Sequence, residues 1–196
     1  MDAALIGDIG ATNARFALLA DGTTDSVEIL GVAAYPTLDA AIKAYLAKAA
    51  GRHKPRHGAL AVAGPVTGDF LSFTNHPWSF SIQGLRRELG FERLEVVNDF
   101  VAAALAIPRL GPDDRRQIGP GTAAAGAPIG VIGPGTGLGV SSLVPHPDGG
   151  GKWIPLAGEG GHATLSTVDA REAAIVDWLH RAGRTHVSAE RLISGA

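Results

Sequence analysis

An apolar strand, a glycine-containing turn and a returning apolar strand occur twice in this chain, at residues 4–20 and again at 129–144. Apolar runs punctuated by Gly and Asp read as hairpins. Asp21-Gly22 and residues 148–151 are further turns, each leading into a third strand, at 26–34 and 152–157. Two copies of one three-stranded unit suggest an internal duplication. After the first copy, Thr37 caps a helix with Leu38, Ile42, Leu46 and Ala49 on one stripe. Strands are expected at 57–64, 66–73 and 94–97. Ser81 starts a helix to about residue 89, and Asn98-Asp99 opens an alanine-rich helix to about residue 107. After the second copy, Asp169 with Glu172 forms a capping box, and Ser188 caps a last short helix. Three strands followed by alternating helices and strands define an α/β fold. The Pro-, Gly-, Asp- and Arg-rich stretch at 108–128 reads as a linker, giving domains 1–110 and 111–196.

Composition narrows the function. The chain has 27 glycines in 196 residues, about twice ordinary usage, and they cluster between apolar runs where a backbone must approach a ligand closely. A net charge of -2 without a basic block argues against nucleic acid or an anionic membrane as partner. With no cysteine there is neither a disulfide nor a thiolate metal site, which fits a cytoplasmic location. No apolar run approaches the roughly 20 residues of a membrane helix, and no signal peptide is expected from the acidic start.

Five clusters carry possible chemistry, each with an ordinary alternative. Residues 8–13 (Asp8, Gly10, Thr12, Asn13) suit a phosphate-binding turn with a carboxylate for a metal; they also suit a plain hairpin. Residues 133–139, with Gly133, Gly135, Gly137 and Gly139, exceed what one turn needs, yet they form neither a P-loop nor a dinucleotide fingerprint. Asp99 lies where a strand becomes a helix, a common place for a general base and a good place for a cap. Glu159 and His162 flank two glycines and could meet one ligand; with His186 and Glu190 they could also hold a metal. Thr74, Asn75 and His76 beside an exposed-looking Trp78 suit a sugar, or form a proline turn over a core Trp.

Taken in order and spacing, the stretches LIGDIGATNARFAL, TNHPWSFS, LGFERLEVVNDF, IGPGTGLGV, LAGEGGH and HVSAERLISG resemble the bacterial glucokinase family of the sugar kinase/actin/Hsp70 superfamily. The resemblance implies an RNase H-like (actin-like ATPase) fold and transfer of a phosphoryl group from ATP to glucose, giving glucose 6-phosphate. It implies Asp8, Gly10, Thr12 and Asn13 in a first phosphate loop, with Asp8 near Mg²⁺ through water, and Gly135, Thr136 and Gly137 in a second. It implies Asp99 as the base on the 6-hydroxyl, and Asn75, Asn98, Asp99, Glu159, His162 and Glu190 as glucose ligands. Ala11 and Pro134 depart slightly from the family pattern. Family members also continue further, so the resemblance implies one nearly complete domain, a truncated second domain and no adenosine-binding motif. A homodimer is the implied assembly. The rival reading is a truncated sugar-binding or regulatory module without phosphotransfer. Uncovered apolar strands in the second domain are expected to make the isolated chain weakly active and prone to associate.

Overall fold

A computed structural model describes residues 3–49, 54–73 and 76–195. The chain divides into two compact units, Met1–Ala102 and Ala103–Ala196.

The first unit is built on β1 (Ala4–Ile9), β2 (Asn13–Ala20) and β3 (Thr23–Gly31), an antiparallel meander. Asp21 and Gly22 both have positive φ (51° and 77°), and Ala20 pairs with Thr23. This is the two-residue hairpin that an Asp-Gly pair favours, because its twist matches the strands. β3 therefore starts earlier than expected and ends at Gly31, where the chain enters a single helical turn, Val32–Ala34. One extra residue on β3 bulges opposite Phe16–Leu18, with Ser26 at φ 56°. α1 (Leu38–Ala49) follows, and its Tyr45 donates to the Ser26 carbonyl at 3.0 Å. Burial pushes the Tyr45 phenol up to about 12.

The chain then adds β4 (His57–Val62), parallel to β1. The strand expected at 66–73 shrinks to β5 (Phe70–Ser72), paired with β6 (Ser79–Ser81), which sequence patterning missed. Gly68 and the short polar residues before Phe70 supply no period-2 pattern for a longer strand. α2 (Ile82–Leu89) begins at Ser81, whose hydroxyl accepts from Gly84 N–H, and stops at Gly90, which has φ 70°. β7 (Arg93–Asn98) completes the sheet in the order β3-β2-β1-β4-β7. This mixed sheet agrees with the α/β class expected from the sequence. α3 (Asp99–Ala106) leads away, with the unit division inside it and ahead of the 108–128 stretch.

The core sits between this sheet and α1 and α2. Leu5, Ile9, Phe16, Leu18, Leu60 and Val62 meet Leu38, Ile42, Tyr45 and Leu85 there. The packing leaves no room beside Gly7. A methyl added there would lie 2.8 Å from Leu60 and 3.0 Å from the Phe16 ring, both almost wholly buried.

The second unit repeats the meander. β8 (Ile129–Pro134), β9 (Leu138–Pro145) and β10 (Trp153–Gly158) form an antiparallel sheet in the order β10-β9-β8. Pairing of Pro134 with Leu138 shortens the expected 133–139 turn to Gly135–Thr136–Gly137. α4 (Ala170–Arg181) starts at Asp169, which accepts from Glu172 N–H at 2.8 Å; Glu172 returns a bond to Val168 N–H, one residue before the expected box position. α5 (Ala189–Ile193) starts at Ser188. Ile132 and Leu156 are exposed, as expected of uncovered strand faces in this unit. The expected exposure of 140–144 fails at Leu143, which is buried on the central strand between β8 and β10. Trp178 of α4 is also exposed. No helix among the described residues is long and apolar enough to cross a membrane.

Gly7→Ala should destabilise the first unit by about 1–3 kcal/mol, because an overpacked core must shift the backbone or strain a rotamer. Chemical denaturation followed by far-UV circular dichroism checks it.

Candidate active site

In the first unit the carboxyl ends of three parallel strands lie side by side. Asp8 aligns with Ala61 and Val97, and Ile9 with Val62 and Asn98. Ligands of open α/β sheets bind outside such strand ends. β1 ends in the 10–13 turn, closed by Gly10 N–H donating to Asn13 O at 3.0 Å. Thr12 is exposed, and its carbonyl accepts from Val32 N–H. Asp8 is half-exposed and paired with Arg15 at 2.8 Å.

At the end of β7, Asn98 caps α3. Its Oδ1 accepts from the N–H groups of Phe100 (2.9 Å) and Val101 (3.2 Å). Its amide donates to the Gly64 carbonyl (3.1 Å) and to Asp99 Oδ1 (2.9 Å). Asp99 Oδ1 also accepts from Phe100 N–H at 2.9 Å, so Asp99 shares in the cap and is a half-buried carboxylate held in one orientation. Burial raises the Asp99 pKa above the ordinary carboxylate range, and the nearby Asp8 charge adds to the rise.

The second unit gathers Glu159, His162 and Glu190. Glu159 precedes a single helical turn, Gly160–His162, and Glu190 lies in the first turn of α5. His162 faces Glu159 at 3.8 Å and Glu190 at 3.9 Å. A side chain at Gly161 would collide with the Leu138 carbonyl, 2.1 Å away, so glycine there lets this turn lie on β9. Glu190 Oε2 accepts from Leu138 N–H at 2.8 Å, at the exit of the 135–137 turn. Inside the turn, Gly135 N–H donates to Gly137 O. The donors of Gly135 and Leu138 are thus engaged by the protein.

Two alternatives left open by the sequence are decided. His186 does not join the Glu159–His162–Glu190 group; it lies 3.1 Å from the Thr164 hydroxyl, and no metal-binding cluster occurs among the described residues. Trp78 is 1% exposed, with its indole donating to Tyr35 O, so it is a core residue and no sugar platform. Asn75 lies outside the described residues. A role for Asn98 as the α3 cap was missed; an Asn directly before the first helical residue was the available signal. A cavity of about 480 Å³ beside α1 and α2, lined by Lys43, Leu46, Lys54 and Phe91, contains none of these candidate residues.

The fold is that of the sugar kinases. A solved glucokinase from an Antarctic psychrotroph superposes with a TM-score of 0.87 at 36% identity, covering 100% of this chain and 61% of that one. A Balamuthia mandrillaris glucokinase solved with glucose shares the fold with a TM-score of 0.70 at 21% identity, covering 99% and 60%. A glucokinase from Streptomyces griseus, solved with glucose and AMPPNP, does so with a TM-score of 0.58 at 22% identity, covering 84% and 51%. The glucokinase family model matches residues 5–196, and the chain belongs to that family. It is 50% identical to glucokinases of Paramagnetospirillum magneticum and Nitrobacter hamburgensis over 192 residues. Those matches cover 97% and 98% of this chain, which spans about 59% of each relative's length.

Asp99→Asn should raise the thermal midpoint at pH 7. A carboxyl whose folded pKa is raised contributes stability that is present below its unfolded pKa and lost as pH rises through its folded pKa. The amide keeps the hydrogen bonds and removes the charge, so its advantage should vanish toward pH 3, as thermal melts across pH would show.

Proposed function

We propose that this chain carries the phosphoryl-acceptor side of a glucokinase, with glucose as acceptor and ATP as donor. The observation that carries the reading is Asp99: a half-buried carboxylate at a strand's carboxyl end, oriented by Asn98 and with a raised pKa. A general base works best with a pKa nearer the operating pH and a fixed aim. In the transfer, the glucose 6-oxygen bonds to the γ-phosphorus, the bond from that phosphorus to the bridging oxygen breaks, and ADP leaves. Asp99 takes the 6-hydroxyl proton. Loose phosphoryl-transfer transition states need positioning and charge neutralisation more than covalent help.

Asn75, Asn98, Glu159, His162 and Glu190 would take the other glucose hydroxyls. Gly10, Thr12 and Asn13 would meet one part of the ATP phosphates, and Gly135, Thr136 and Gly137 another. Asp8 fits Mg²⁺, which usually takes one or two carboxylates plus substrate phosphates and waters, and an exposed carboxylate without a surrounding cage matches that. When bound, Mg²⁺ would neutralise phosphate charge. Asp8 would hold it through water once Arg15 yields an oxygen. A homodimer working in the cytoplasm, early in glucose breakdown, belongs to the same reading.

Support comes from the family match and from the glucose and AMPPNP found in related solved enzymes.

Asp99→Asn in the intact protein should lower kcat about 10²–10⁴-fold with glucose binding retained. A coupled glucose 6-phosphate assay beside calorimetric glucose binding tests it. Near-normal turnover removes Asp99 from the base role. Glucose binding with no turnover in the unaltered protein would favour the sugar-binding module instead.

Mannose and galactose should each lose about 1–3 kcal/mol in kcat/KM, because an epimer leaves a carboxylate such as Glu159 or Glu190 unpaired. Equal efficiencies on the three sugars would contradict this.

A further inference from the structure

We propose that Glu190 is a positioning residue that ties sugar binding to the shape of the 135–137 glycine turn, one carboxylate oxygen facing the sugar and the other holding the turn. The proposal rests on the glucokinase reading for the sugar, and on geometry for the turn.

The glycine turn has little of its own to define it. Its internal bond is Gly135 N–H to Gly137 O, and two of its three residues lack side chains. Its shape comes from α5, which reaches it at both ends. Glu190, in the first turn of α5, accepts from Leu138 N–H at 2.8 Å. Beyond the end of α5, Gly195 N–H donates to Gly135 O, also at 2.8 Å. The start of α5 and the chain leading into it are held to the segment just after His162: Ala189 N–H donates to Ala163 O, and Leu165 N–H to Val187 O.

The two oxygens of Glu190 face different neighbours. Oε2 is on the turn, while Oε1 is the atom 3.9 Å from His162. The Glu190 side chain is 29% exposed, against 65% for Glu159 and 62% for His162, so of the three it is the one already built into the protein. A sugar hydroxyl donating to Oε1 would hold the carboxylate in place and with it the Leu138 N–H. Binding of the sugar would thereby order the phosphate turn. By linkage, a ligand that orders the turn would tighten sugar binding by the same factor.

Gly137 offers the test. A methyl there would lie 2.7 Å from Oε2, so Gly137→Ala forces Glu190 off the turn. Glucose affinity of the intact protein, measured by calorimetry without nucleotide, should then fall about tenfold or more, as expected when a hydrogen bond to a charged group is lost. This would happen although residue 137 belongs to the phosphate turn. Gly130→Ala, on β8 with open space around it, should leave glucose affinity unchanged. In the unaltered protein, saturating glucose alone should slow amide exchange of Leu138 about tenfold. Unchanged glucose affinity in a folded Gly137→Ala protein overturns the proposal and leaves the glucokinase reading standing. If that variant does not fold, unchanged Leu138 exchange overturns it instead. Failure of the unaltered protein to bind glucose removes the proposal and the glucokinase reading together.

Discussion

The in-register parallel pairing of β1, β4 and β7 is the constraint on which the first unit's chemistry depends. It brings Ile9, Val62 and Asn98 level, so Asp8 and Asp99 emerge at one edge of the sheet. A shift of one residue would turn every side chain of a strand to the opposite face. The register is held by the buried stripe of Leu5, Ile9, Leu60, Val62, Leu94 and Val96. Gly7 and Gly58 let that stripe close, since a side chain at either would meet buried neighbours within 3 Å.

Polar side chains at the strand ends then convert this rigidity into orientation. Asn98 satisfies the first N–H groups of α3, reaches across to Gly64 and steadies Asp99. Asp99 shares the Phe100 N–H with that cap and lies in a half-buried setting that disfavours its charge. Burying a charged carboxylate in this way costs stability that the rest of the fold must offset. In the second unit a carboxylate again meets backbone donors near a glycine turn, with Glu190 on Leu138. There the order comes from a separate helix, because the turn lacks side chains to order itself.

Local structure was legible wherever a short-range rule applied. Asp21-Gly22 demanded positive φ at both positions and formed the tight hairpin. Ser81, Asp169 and Ser188 offered side-chain acceptors to the next helix, and each caps one. The β5–β6 pair was not legible, because strands of three residues carry too little alternation to stand out. The β3 bulge was hidden for a related reason: it is a mismatch between two strands, and no single strand encodes it.

The sequence by itself determined the two meanders, the helix starts, the order of the glycine turns and the family to which the chain belongs. Backbone propensity, caps and motif spacing act within a few residues, so they can be read along the chain. Tertiary structure decided which side chains each candidate meets. Trp78 went to the core because its indole finds the Tyr35 carbonyl, 43 residues away. His186 was taken by Thr164, while Glu190 reached back 52 residues to Leu138. Asp99 acquired its raised pKa from burial and from Asp8 on another strand. Burial, charge proximity and hydrogen-bond partnership depend on distances between segments far apart in the chain, and only the packed sheets set those distances.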